Sequence, residues 1–154
     1  MAQVLMSGNP NRMVVNVAYG TAVTKGDLLK LDQKGSAQNP APLAVRVTAA
    51  SDNDQLYAIA DADHVALITD DGKTHSVVCS VPDPNSVYEF ECASSNIQQG
   101  QGLAMTDHNT LHLAITDHVA VAIETKTTAT KIRCIFLTPP LWGGASKAVS
   151  YSAG

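Results

Sequence analysis

The chain has 154 residues, 45% of them hydrophobic and only 16% charged, with a formal net charge of -4. This length fits one domain, and the hydrophobic share excludes bulk disorder. No Lys/Arg cluster supplies the electrostatic footprint of a nucleic-acid binder, and no apolar run approaches the ~18 residues of a membrane span. The low charge leaves two readings open: a surface partly covered by a partner, or one rich in Ser, Thr, Asn and Gln. Aromatic residues are 5% of the chain and Ala occurs 21 times, so the core is expected to be thin and its sheets closely approached.

In chain order, residues 1–12 read as an arm. Ser7-Gly8-Asn9-Pro10-Asn11 is loop chemistry, and the apolar Val4-Leu5-Met6 before it is suited to docking. The N-terminal Met1–Met6 has neither a basic region nor a long apolar stretch, so no signal peptide is expected. Strand-like runs follow at Met13–Val17, Leu28–Asp32, Leu43–Thr48, Gln55–Ala60, Val65–Thr69, His75–Val81, Val87–Cys92, Gly102–Thr106, Leu111–Ile115, Val119–Glu124 and Lys131–Thr138. They are short, β-branched and evenly punctuated by turns, the pattern of an all-β barrel or sandwich. Asp70-Asp71-Gly72-Lys73 predicts a hairpin. In Lys131–Phe136, Ile132, Cys134 and Phe136 share one face, and Lys131 and Arg133 the other. Little helix is expected, with short candidates near Ala49–Ser51 and Ala93–Asn96. Val81-Pro82-Asp83-Pro84-Asn85-Ser86 predicts a loop without ladder donors at either proline. Residues 139–154 form a tail bearing the only Trp of the chain.

One motif occurs twice. Val23-Thr24-Lys25-Gly26-Asp27-Leu28-Leu29-Lys30-Leu31 and Ile97-Gln98-Gln99-Gly100-Gln101-Gly102-Leu103-Ala104-Met105 both read apolar-x-x-Gly-x-x-apolar-x-apolar, with x free to be any residue. Each is followed by a polar turn, then an Ala/Ile-rich stretch (Leu56–Ala60, Val119–Ile123), then a β-rich run (His75–Val81, Lys131–Leu137). The expectation is a single β domain over 13–138, built from two related units at about 21–81 and 95–138. What repeats is scaffold rather than reactive chemistry, which points away from an enzyme.

Candidate chemistry is sparse. Asp63-His64, Asp107-His108 and Asp117-His118 invite a metal or acid–base reading, but adjacent strand residues point to opposite faces, and turns hold Asp and His routinely. No metal or other cofactor is expected. Cys79, Cys92 and Cys134 form no C-x-x-C pair; an odd count of buried free thiols in a reducing compartment is expected. Arg133, beside Cys134, faces away on a strand and does not activate the thiol. Gly100-Gln101-Gly102 lacks the third glycine and helix of a dinucleotide fingerprint. Both terminal segments carry apolar side chains, and a tail Trp buries a large area when it finds a surface. The expected contact residues are therefore Val4, Leu5 and Met6 at one end, with Arg12 able to fork onto a carboxylate, and Leu141 and Trp142 at the other.

The motif Val23–Asp32 and its echo at Ile97–Met105, followed by Val119–Ile123 and a strand ending Ile135-Phe136-Leu137, resemble small β-rich head decoration proteins of tailed bacteriophages. The likeness covers about residues 13–138 and is one of pattern and order. It implies a compact β-barrel or β-sandwich, β-tulip-like, with extended N- and C-terminal arms. It also implies a non-enzymatic virion protein, made in the host cytoplasm, that binds the outer surface of the expanded capsid. There it would cement neighbouring copies of the major capsid protein as a homotrimer, without nucleic-acid or membrane partners. The alternatives are another phage structural component of tail or baseplate, or a small β-barrel metal-binding or enzymatic module.

Overall fold

The computed structural model describes residues 5–18, 21–32, 42–65, 74–128 and 131–143. Their strands are β1 (Leu5–Ser7), β2 (Arg12–Ala18), β3 (Leu28–Leu31), β4 (Ala44–Arg46), β5 (Leu56–Ala60), β6 (Thr74–Ser80), β7 (Val87–Cys92), β8 (Gly102–Met105), β9 (Thr110–Leu113), β10 (Ala120–Ala122) and β11 (Lys131–Phe136). Short 3-10 helices occupy Ala50–Gln55 and Pro140–Trp142. The protein is all-β, as its alternating runs predict. The expected helical turn near Ala49–Ser51 is the first 3-10 helix. Ala93–Asn96 is instead a bend, with Asn96 at φ +56°. The predicted strand at Val65–Thr69 lies, apart from an exposed Val65 outside any strand, beyond the described residues, as does the hairpin at Asp70–Lys73.

The second half of the chain closes on itself. Its strands run β7-β11-β10-β8-β9, and β9 returns to β7 in parallel through Glu91↔Thr110 and Cys92↔Leu111. This is a five-stranded barrel. The first half has the same order, β2-β6-β5-β3-β4, and β4 turns back to β2 through one parallel bridge between Asn16 and Leu43. There the Asn16 N–H donates to the Pro42 carbonyl at 2.9 Å. Pro42 has no N–H to return, so the closing ladder is shorter on this side.

The two halves correspond strand for strand. Gly26 and Gly100 both sit at φ +95°, a backbone conformation that favours glycine. Their N–H groups donate to Ala60 O and Ala122 O, both at 2.8 Å. In the register that follows, Ala60 faces Cys79 and Ala122 faces Cys134, while Met13 and Tyr88 lie on the far side of those cysteines. Core positions match accordingly. Val15, Val23, Leu29, Ala44, Ala58, Ala60, Val77 and Cys79 fill the first barrel, and Phe90, Ile97, Leu103, Leu111, Ala120, Ala122, Ile132 and Cys134 the equivalent places in the second, all of them buried. The first interior is small and aliphatic. The second holds Tyr88, Phe90 and Phe136 with edge-on ring contacts at 5.5 and 5.7 Å from Phe136, a geometry that suits the ring quadrupoles.

Outward-facing Leu28, Val47, Leu56 and Ile59 of the first half join the core cluster of the second, and burying each Leu or Ile stabilises the junction by about 1.5–3 kcal/mol. Directional bonds fix the register. Leu28 N–H donates to His108 O at 2.7 Å. The buried Asn53 side chain accepts from Met105 N–H at 3.1 Å and donates to Asp117 O. His118 occupies the place corresponding to Leu56, and its ring lies over Gly102, the counterpart of Leu28. A Cβ at Gly102 would stand 2.6 Å from that ring, so the departure of the second motif from the first at this position is a packing requirement.

Candidate functional site

The expected contact residues lie on different parts of the scaffold. Leu5 and Met6 belong to β1, which pairs with β7 through Leu5↔Tyr88 and Ser7↔Val87. Leu5 packs against the core, while Met6 is 42% exposed. Part of the expected N-terminal arm is therefore a strand of the second sheet. Val4 lies outside the described residues. Arg12 opens β2, and its Nη1 donates to Asp61 Oδ2 at 2.8 Å. Asp61 Oδ2 also accepts from Ser80 Oγ at 2.7 Å, so Arg12 is held rather than extended.

At the other end, Pro140 opens a 3-10 turn that stops at Gly143, whose φ of +90° ends it. The turn presents Trp142 to the first barrel. Its ring stacks on Tyr57 with centroids 5.0 Å apart, and its indole N–H donates to Tyr57 O at 2.7 Å. Leu141 beside it is 49% exposed. Residues 144–154 of the expected tail lie outside the described residues.

The Asp-His pairs do not converge. Asp63 Oδ1 accepts from Lys25 N–H at 2.7 Å, and His64 Nδ1 bonds Thr21 O at 2.7 Å. Asp107 Oδ1 accepts from Asn109 N–H at 3.0 Å inside its own turn. Asp117 stands at φ +57°, and the His118 ring packs onto Gly102. Burial holds the His118 pKa below its ordinary value, partly offset by the Asp117 charge. His64 and His75 approach with ring centroids 5.0 Å apart. Among the described residues, no group of three or more His, Cys, Asp or Glu is placed to hold a metal ion.

The cysteines are unpaired. Burial pushes the Cys79 thiol up to about 12, with the Asp61 charge adding to it. Cys134 is raised further by burial, with Cys92 and Glu124 contributing. Its neighbour Arg133 is exposed on the opposite face, the strand alternation that the sequence predicts.

The most developed polar cluster supports a turn. Asp27, 1% exposed, accepts from Thr24 N–H at 2.8 Å and from Arg46 Nε at 2.6 Å. In the second copy Gln101 Oε1 accepts from Gln98 N–H at 2.8 Å, and Leu113 occupies the place of Arg46, since Arg46 faces Leu29 and Leu113 faces Leu103. The carboxylate and its cation have changed together into an amide and an aliphatic residue. Asp52 is a second such support: burial alone would raise its carboxyl, but donors from Thr48 and the nearby Lys30 ammonium hold it below the ordinary value.

Sequence reasoning missed Val14 and Val78, each 44% exposed on the outer face of the first barrel. The signal lay in Met13-Val14-Val15-Asn16-Val17, where strict alternation would make position 14 polar. No protein-family model matches the chain, and no curated protein matches it.

Proposed function

We propose that this chain is a structural virion protein. It binds the outer surface of an expanded phage capsid and cements neighbouring major capsid subunits as a homotrimer. The observation that carries the reading is apolar exposure on both terminal segments. Met6 projects from β1 on the second barrel, and Leu141 and Trp142 from the 3-10 turn on the first, with the latter two 49% and 37% exposed. Each is anchored at its base, so it meets a partner at low ordering cost. The duplicated strands, their glycine turns and the shared core form the body between these points. The resemblance of Val23–Asp32 and Ile97–Met105 to head decoration proteins supplies the identity of the partner.

The mechanism is linkage. A ligand that binds only the assembled, expanded lattice stabilises that lattice by mass action, and many symmetric copies add avidity, so each contact can be modest. Co-sedimentation with expanded capsids tests the proposal. The wild-type chain is expected to saturate the particles, and Met6→Asp with Leu141→Asp to abolish pelleting while leaving the urea midpoint unchanged. Wild-type protein that stays in the supernatant, or a folded double variant that pellets as well as wild type, would refute it.

A further inference from the structure

Duplication supplies an internal control, because the same place in each barrel can be compared residue by residue. Val23 and Ile97 each exchange two backbone bonds with one partner across an isolated bridge. In the first barrel that partner is His64, with bonds of 2.9 and 2.8 Å; in the second it is Lys126, with the same two distances. The preceding residues repeat the match, since Asp63 accepts from Lys25 N–H and Thr125 from Gln99 N–H. His64 therefore stands where the second barrel puts an ammonium. Oxygen satisfies that ammonium: Lys126 Nζ donates to Lys131 O at 3.0 Å and lies 3.3 Å from Glu124 Oε1. The first barrel offers nitrogen instead.

A second histidine meets His64 there. Beyond the pair Ala60↔Cys79, Asp61 N–H donates to Val78 O at 2.8 Å, and the same register carried onward sets His64 across from His75. Their ring centroids are 5.0 Å apart with 39° between the planes, which is not a flat stack. His64 Nδ1 bonds Thr21 O at 2.7 Å. A carbonyl only accepts, so Nδ1 carries the proton and the neutral ring presents its lone pair at Nε2. That nitrogen is shielded from solvent and has no hydrogen-bond partner among the described residues. A backbone carbonyl on the opposite nitrogen is how a metal-ligating histidine is commonly held.

We propose that His64 Nε2 and a ring nitrogen of His75 bind one divalent transition-metal ion. Imidazole nitrogen suits Zn2+, Ni2+ or Cu2+, whereas Mg2+ and Ca2+ take oxygen. The spacing agrees: with metal–nitrogen bonds of about 2.0–2.1 Å and a tetrahedral angle, two imidazoles on one ion have ring centroids roughly 5 Å apart. Thr21 O fixes His64, so His75, half-buried, is the ring that turns to admit the ion. The ion brings positive charge to the place that Lys126 fills in the other barrel. Two protein donors fall short of a group of three, so water completes the coordination and the ion exchanges readily. Once bound, it ties the segment after β5 to the start of β6 and stabilises the fold by mass action. The inference is independent of the capsid reading, and either can fail without the other.

Isothermal titration calorimetry of the full-length chain with Zn2+ at neutral pH, with Mg2+ as the control metal, tests it. One Zn2+ per chain is expected to bind saturably, Mg2+ to give no binding, and the urea midpoint to rise with Zn2+. H64Q and H75Q are each expected to weaken Zn2+ binding roughly tenfold or more. A wild-type chain without saturable binding up to about 1 mM Zn2+, or a folded H64Q or H75Q that loses less than this, would leave adventitious binding only and overturn the proposal. Should either variant fail to fold, the imidazole nitrogen resonances of the wild-type chain decide. Those of His64 and His75 are expected to shift together on adding Zn2+, and resonances that stay in place would equally overturn it.

Discussion

Replacing Asp27 and Arg46, singly and together, probes whether the two barrels solve one turn in two chemically coupled ways. Asp27→Gln keeps an acceptor for Thr24 N–H, as Gln101 does for Gln98, but releases Arg46. That guanidinium is 31% exposed against 2% for the carboxylate, so it rehydrates, and the expected cost is about 1–2 kcal/mol. Arg46→Leu leaves a buried carboxylate with one backbone donor, and stranding a buried charge costs more, about 3 kcal/mol. The double variant reproduces the second barrel's solution and is expected to cost about 1 kcal/mol or less, far below the sum. The coupling energy is then about 3 kcal/mol, at the upper end for residues in contact. Urea unfolding of the four proteins, with m-values compared to verify a common two-state transition, measures it. A double variant destabilised by the full sum would refute the equivalence of the two turns.

Three further outcomes follow from named contacts. Trp142→Ala removes the Tyr57 stack and the bond to Tyr57 O, and is expected to cost about 1–3 kcal/mol in urea; loss of less than a few tenths would mean that the turn is not docked. Cys79 and Cys134 are expected to resist alkylation in the native state and to react once urea unfolds the chain, because thiolate is the reactive form and burial suppresses it; rapid native labelling of either would contradict the packing. His118 binds its proton less readily folded than unfolded, so the unfolded state holds more protons just below its ordinary value of 6.5, and stability declines as pH falls through that value. His118→Phe is expected to flatten the change in urea midpoint between about pH 7.5 and about pH 5.5; an unchanged slope would remove His118 as the cause.

Much of this fold is legible in the sequence where chemistry repeats visibly. Gly26 and Gly100 announce the same turn because a positive φ restricts the choice of residue. The alternation through Lys131–Phe136 gives the buried face of β11, and the Ala-rich stretches at Leu56–Ala60 and Val119–Ile123 are indeed equivalent strands. The repeat is longer than its motif, however. Met13–Val17 and Val87–Cys92 occupy the same place in each barrel, yet one offers valines and the other Tyr88 and Phe90. A barrel interior constrains the total volume of its filling more tightly than the residue at any one place, so local comparison passes over the match. Long-range partnerships were also hidden. Nothing local to Asp27 names Arg46, and nothing near Arg12 names Asp61, because sheet register creates both pairs. Val14 and Val78 look like ordinary core valines until the pairing places them on the outside.

Intact-mass spectrometry of purified virions most directly tests the central claim. A component of 16.2 kDa, present in copies comparable to the major capsid protein, is the predicted result. Its absence, or its presence at only a few copies per particle, would contradict the assignment of this chain to the capsid surface.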